Sequence, residues 1–203
     1  VGYYTSSAGS ASQIACAAGT YQPSTGQTSC TDADAGYYVS ITGSSSQTVC
    51  AAGTYQPSTG QSSCTDAFAG YYVSTTAATS QAACSAGTYQ ALTGQSSCDD
   101  ADAGYYVSSS AATSQTACAA GTYQPSSAQT SCIDASAGYY VASAGSASQT
   151  ACAAGTYQAS TAQTSCIDAS AGYYVDTTAA TSQTACSAGT YNPNTGSSDS
   201  SAC

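Results

Sequence analysis

Apolar and polar side chains do not run in blocks along this chain; they return to the same places with a 17-residue period. Gly stands at position 2 and at every seventeenth residue through Gly189, and Tyr at position 4 and at every seventeenth residue through Tyr191. Ser holds a third such place from Ser12 through Ser182, with Asp199 in the twelfth module. Between these marks lies a polar stretch, as in Gly53-Thr-Tyr-Gln-Pro57-Ser-Thr-Gly60-Gln-Ser-Ser-Cys64. A Gly-x-Tyr segment, a turn and a Ser-rich return predict one short β-hairpin per module, with Pro57 presetting a turn φ and Gly60 accepting a left-handed one. Ala replaces the turn glycine in five of the twelve modules, so a strictly positive φ is not expected at every turn.

The cysteines double the period. From Cys16 through Cys30, Cys50, Cys64, Cys84, Cys98, Cys118, Cys132, Cys152, Cys166 and Cys186 the spacing alternates between 14 and 20, and Cys203 follows. The resulting 34-residue repeat fills the chain six times, as 1–33, 34–67, 68–101, 102–135, 136–169 and 170–203. Alternate modules lack both cysteines together: Ala33 and Gln47 stand where Cys16 and Cys30 would recur, as do Ala67 with Gln81 and Ala101 with Gln115. Paired loss favours bridges at the 14-residue spacing, such as Cys16 to Cys30, while pairing across the longer spacing stays open. The last loop is three residues longer than its counterparts, and Cys203 is expected to close on Cys186.

Composition explains why bridges are needed. Val, Ile, Leu and Phe number 13 in 203 residues, far below the roughly 20% of a chain that ordinarily builds a core. The largest side chains present in quantity are 18 Tyr, expected to lie over a disulfide or the next module. Closing a loop of about 15 residues contributes on the order of 3 kcal/mol in the chain-entropy picture. The expected fold is therefore all-β, small and disulfide-rich: an elongated rod of tandem β-hairpin modules with nearest-neighbour contacts.

Charge narrows the possible partners. The only ionisable side chains of ordinary charge are ten Asp, giving a net charge of −10, so neither nucleic acid nor an anionic membrane is an expected partner. With no His, Glu or Lys to act as base and no Ser in a nucleophile motif, the chain is not expected to be an enzyme. Regular Cys spacing without His or a Cys-x-x-Cys pair reads as disulfides rather than zinc ligands, which places the chain outside the cell or at its surface. The sequence opens at Val1-Gly2-Tyr3 inside a repeat, with no signal peptide and no apolar run long enough for membrane insertion, and reads as a mature segment.

The run Cys50-Ala-Ala-Gly53-Thr-Tyr55 through Cys64, repeated along all six copies, resembles the ephrin-receptor-like cysteine-rich repeats, relatives of the tumour-necrosis-factor-receptor modules. The resemblance implies an extracellular β-rich rod and a link between the second Cys of one pair and the first of the next, which here matches Cys50 with Cys64. It departs from the family in that a Cys-x-x-Cys does not precede Gly-x-Tyr, and alternate modules such as Gly70 to Gln81 carry no bridge. Those modules are expected to be held by their neighbours, so stability should alternate along the chain.

Ser and Thr together number 67, and ten of the twelve modules place one at the turn: Thr25, Thr42, Thr59, Thr76, Thr93, Ser110, Ser127, Thr161, Thr178 and Thr195. With no Asn-x-Ser/Thr sequon, any sugar must be O-linked, and these turns are the candidate sites. Asp32, Asp66, Asp100, Asp134 and Asp168 recur once per 34-residue repeat; an Asx turn explains them better than calcium, although Asp99, Asp100 and Asp102 are the densest group. No cofactor is expected. Tyr pairs such as Tyr37 with Tyr38 and Tyr105 with Tyr106 cover disulfides or line a sugar-stacking stripe, and Phe68 is the only Phe.

The reading that unites these features is a structural subunit or segment of an extracellular filament or surface appendage, self-associating into fibres and coated with O-glycans. An adhesin or receptor stalk is the alternative. Ice binding is a minor one, because the module provides no strict Thr-x-Thr array on a strand.

Overall fold

The computed structural model describes residues 1–203, and the pattern resolves into twenty-two strands of two residues each with one short 3-10 turn at Ser200–Ala202. Each strand pairs with one sequence neighbour as a two-stranded sheet. In β1 (Tyr3–Tyr4) and β2 (Ile14–Ala15), Tyr3 faces Ala15 and Tyr4 faces Ile14, antiparallel. β3 (Thr20–Tyr21) and β4 (Thr31–Asp32) repeat that register in the next module, Thr20 facing Asp32 and Tyr21 facing Thr31. Such short hairpins are marginal alone, so most of their order must come from what surrounds them.

By its contacts the chain divides into two units: Val1–Ser85 with Tyr89–Asp99 and Ser110–Ser114, and Ala86–Thr88 with Asp100–Ser109 and Gln115–Cys203. In the first unit, Gly19 N–H donates to the Val39 carbonyl at 2.8 Å, Gln22 N–H to Ser44 at 3.1 Å, and Gly43 N–H reaches back to the Cys16 carbonyl at 2.8 Å. In the second, Gly121 N–H donates to Val141 at 2.8 Å, Gln124 N–H to Ser146 at 3.2 Å, and Gly145 N–H to Cys118 at 2.8 Å. Within each unit, modules are thus bonded through the main chain to the next module and, through the turn, to the module two places away.

The buried set is as periodic as the bonds. Cys16, Ala33, Cys50, Ala67 and Cys84 are wholly buried in the first unit, as are Ala101, Cys118, Ala135, Cys152 and Ala169 in the second. Val39 and Val73, and likewise Val107, Val141 and Val175, fill a second buried place in the modules without cysteine. In cysteine-bearing modules that place is a buried Gln, and its amide is satisfied: Gln22 Nε2 donates to the Ser29 carbonyl at 2.8 Å and Gln22 Oε1 accepts from Ser24 N–H at 3.1 Å. The main-chain carbonyl just before the second cysteine of these hairpins thus anchors the buried amide.

The glycine that opens every module has a steric reason beyond its backbone angle. At Gly19 φ is +90°, and an added Cβ would lie under 3.0 Å from the Gly60 carbonyl oxygen and 3.0 Å from its carbonyl carbon. Gly121, at φ +88°, stands in the same relation to the carbonyl of Ala162. From Gly2 to Gly155, each opening glycine is the seat on which the turn carbonyl two modules further along rests.

Candidate functional site

Six disulfides hold the hairpins: Cys16–Cys30, Cys50–Cys64, Cys84–Cys98, Cys118–Cys132, Cys152–Cys166 and Cys186–Cys203. The first five join residues 14 apart with Cα–Cα distances of 5.7–5.8 Å, and the last has a separation of 17 and a distance of 5.6 Å. No cysteine is free.

The cysteine-free modules carry a bridge of another kind, which sequence reasoning missed. Gln47, standing where Cys30 would recur, accepts a hydrogen bond at Oε1 from Asp34 N–H at 2.7 Å and donates from Nε2 to Asp34 Oδ2 at 2.7 Å. Gln115 clasps Asp102 in the same two ways, each at 2.6 Å. Gln81 accepts from Phe68 N–H at 2.8 Å, Gln149 from Ser136 N–H at 2.7 Å and Gln183 from Ser170 N–H at 2.7 Å. Because the clasp engages the main-chain N–H, the clasped position tolerates Asp, Phe and Ser alike, and this accounts for an exposed Phe68. The signal was present in the sequence, since the lost second cysteine is Gln in each of these modules and never Ala or Ser.

One expectation is corrected. All twelve turns have positive φ, including those with Ala: Ala77, Ala111, Ala128, Ala162 and Ala179 lie between +55° and +58°. A methyl group fits beside the turn because its surroundings leave room: a Cβ added to Gly43 would meet Tyr3 at 3.5 Å, an ordinary contact. The left-handed angle is imposed by the main-chain bonds on either side and accepted at a cost of order 1–2 kcal/mol where Ala stands.

The ten turn hydroxyls, from Thr25 to Thr195, are all exposed, and none makes a hydrogen bond within the chain. The hydroxyls that follow an opening glycine differ: Thr20, Thr54, Thr122, Thr156 and Thr190 each donate to the carbonyl of the residue three earlier, at 2.8–2.9 Å. The turn hydroxyls are therefore free, whereas those beside these opening glycines are occupied.

The remaining candidates are dispersed. The recurring Asp lie on exposed strand positions, and no group of three or more Asp or Cys side chains is placed to hold a metal ion, Asp99, Asp100 and Asp102 included. Tyr140 borders a surface groove of about 450 Å³ with Thr150, Thr156, Ser165 and Cys166, and an equivalent groove of about 480 Å³ lies beside Tyr106 and Cys132. One Tyr of each such pair thus stands near a disulfide of the following module. The Asp199 carboxyl accepts from Ser201 Oγ and Ser201 N–H, and these bonds hold it below the ordinary 3.8. No helix is long and apolar enough to cross a membrane.

With this geometry in place, the comparison with known families gives a match over residues 138–186 to the family described as tyrosine-protein kinase ephrin type A/B receptor-like. Residues 138–186 are thus similar to an ephrin-receptor-like cysteine-rich segment. They run from an opening glycine seat through the whole Cys152–Cys166 bridge to Cys186, and the hairpins elsewhere in the chain repeat the same register and the same seats. No curated protein matches the chain. A disulfide-rich module of this type belongs outside the cell or at its surface, as a receptor-like or structural element rather than a catalytic one.

Proposed function

We propose that this chain is a structural segment of an extracellular filament or surface appendage, and that its turns carry O-linked glycans. The observation that carries the reading is uniformity: every hairpin after the first is closed by a disulfide or a Gln clasp and stitched to its neighbours by the same main-chain bonds. A ligand-binding protein concentrates distinctive residues in one loop or cleft, whereas here the grooves, seats and turns recur with the period of the repeat. The glycan part of the reading rests on the exposed, unbonded turn hydroxyls in a chain whose 67 Ser and Thr outnumber its ten Asp several-fold.

Gold-labelled antibodies raised against the chain and applied to the native cells are expected to decorate fibres along their length. Labelling confined to isolated points on the cell body would overturn the filament and favour the second reading, a receptor or adhesin stalk, which the receptor-like family match supports. The intact mass of the native protein is expected to exceed 19.7 kDa by a ladder of sugar masses that alkaline β-elimination removes. A native mass at the polypeptide value would remove the glycans from the account.

A further inference from the structure

We propose that the bridges of the internal modules are one-sided thiol-exchange sites, at which a small uncharged or ammonium-bearing thiol attaches to the second cysteine, Cys64, Cys98, Cys132 or Cys166, and not to the first. The proposal is independent of the filament reading. The two sulfurs of each bridge are unlike: Cys50, Cys84, Cys118 and Cys152 are wholly buried, whereas the cysteines they pair with are partly exposed. Cys132 borders the groove of about 480 Å³ beside Tyr106, and Cys166 the groove of about 450 Å³ beside Tyr140, so a small molecule has room to reach each.

A thiolate opens a disulfide by attacking one sulfur in line with the bond, and the other sulfur leaves. With Cys118 enclosed, the attack falls on Cys132, and the leaving sulfur lies inward of it. A bond forms between the incoming sulfur and Cys132 Sγ. The bond between Cys132 Sγ and Cys118 Sγ breaks, and its electron pair goes to Cys118 Sγ, which takes a proton from water. The thiol itself is the reductant, so the step needs no further reagent.

The main chain then keeps the freed cysteine in place. Cys118 N–H donates to the Gly104 carbonyl at 2.9 Å, and the Cys118 carbonyl accepts from Gly145 N–H at 2.8 Å. Cys152 is held likewise, by the Gly138 carbonyl at 2.9 Å and Ala179 N–H at 2.8 Å, and no such pair of bonds holds Cys132 or Cys166. The freed sulfur stays beside its old partner, shielded from outside thiols and from the other bridges. When the small thiol is withdrawn, Cys118 Sγ gives up its proton, attacks Cys132 Sγ and expels the thiol, so the native pairing returns without scrambling.

Charge sets the class of thiol. Asp66, Asp100, Asp134 and Asp168 are exposed, and each stands two residues after a partly exposed cysteine, no more than about 7 Å from it between Cα atoms. No Lys, Arg or His offsets them. That separation is within a Debye length at low salt, so an anionic thiol is repelled from the groove and an ammonium group is drawn to it.

The test exposes the oxidised, full-length chain to limiting cysteamine at low salt and quenches it with acid, denaturant and N-ethylmaleimide. Peptides cut before Asp are then fragmented in a mass spectrometer to locate both labels. Cysteamine is expected on Cys132 and Cys166 and maleimide on Cys118 and Cys152, at least about tenfold over the converse, whereas a chain unfolded beforehand should show about equal amounts of each. An even distribution in the folded chain, adducts on Cys118 and Cys152, or no adduct at all would overturn the proposal. Gel filtration without maleimide should remove the adduct and restore every bridge; a rearranged pairing would overturn it too. Mercaptoacetate, with each rate scaled to that on a neutral peptide disulfide, should react about three- to tenfold more slowly than cysteamine, and Asp134→Asn should narrow that gap at Cys132 while leaving it at Cys64. Equal scaled rates would overturn the charge selection.

Discussion

If the opening glycine is a seat for a carbonyl, its replacement should cost more inside the repeat than at its open end, although the backbone angle is the same in both places. Gly121 and Gly189 provide the pair, with φ +88° and +91°. Alanine at either must accept a sparsely populated angle, at a cost of order 1–3 kcal/mol. Only at Gly121 does the new Cβ also meet main chain, under 3.0 Å from the Ala162 oxygen and 3.0 Å from its carbonyl carbon. That carbonyl cannot rotate away as a side chain would, because Ala162 is held by its own N–H to the Ala135 carbonyl at 2.8 Å. Forcing such a contact adds about 1–3 kcal/mol, so Gly121→Ala should lose roughly 2–6 kcal/mol against roughly 1–3 for Gly189→Ala. Denaturant unfolding in dilute solution, with all disulfides intact and followed by circular dichroism, measures both. Equal losses would refute the seat and leave only the backbone angle as the reason for glycine.

The turns, clasps and last loop give three further tests. Ala128→Gly should raise stability by up to about 1 kcal/mol, the relief of a left-handed alanine less the added freedom of the unfolded chain, read as a higher denaturation midpoint. Gln115→Ala removes the clasp on Asp102 and should cost about 0.5–1.5 kcal/mol, whereas replacing Cys118 and Cys132 by Ala should cost about 2–4 kcal/mol; hydrogen exchange should show the clasped hairpins opening before the bridged ones. The Asp199 carboxyl is held below 3.8 by its bonds to Ser201, so the 3-10 turn gains its support above the unfolded value and loses it as pH falls through the lower folded one; an NMR titration of Asp199 should therefore have its midpoint below 3.8, and Ser201→Ala should move it up.

Much of the local fold was readable because each module writes it with few residues. Gly-x-Tyr and the Ser-rich return mark the two arms of each hairpin, and their 17-residue spacing matches the register in which Tyr4 faces Ile14 and Tyr21 faces Thr31. Three things were not legible. The turn angle was misread from Ala77 and its four counterparts, because propensity alone ranks a left-handed Ala as improbable and does not see the main-chain bonds that impose it. The Gln47 clasp shows in the sequence only as a recurring Gln, because its partner is a main-chain N–H and leaves no fixed residue type at Asp34, Phe68 or Ser136 to complete the signal. The seat at Gly19 depends on a carbonyl at Gly60, two modules away, and only the folded backbone brings them together.

The central claim is that order in this nearly coreless chain comes from closing every second module on itself, and native disulfide mapping tests it most directly. Cleavage before Asp cuts between successive bridges, at Asp32, Asp66, Asp100, Asp134 and Asp168, and needs no Lys or Arg, which the chain lacks. If Cys16–Cys30 through Cys152–Cys166 are the bridges, unreduced fragments should separate, each keeping its own intact disulfide, with the small Cys203 fragment tied to Cys186. Fragments that remain linked in a chain until reduced would instead mean bonds such as Cys30 to Cys50, and free thiols would mean no closure at all; either result would contradict the account.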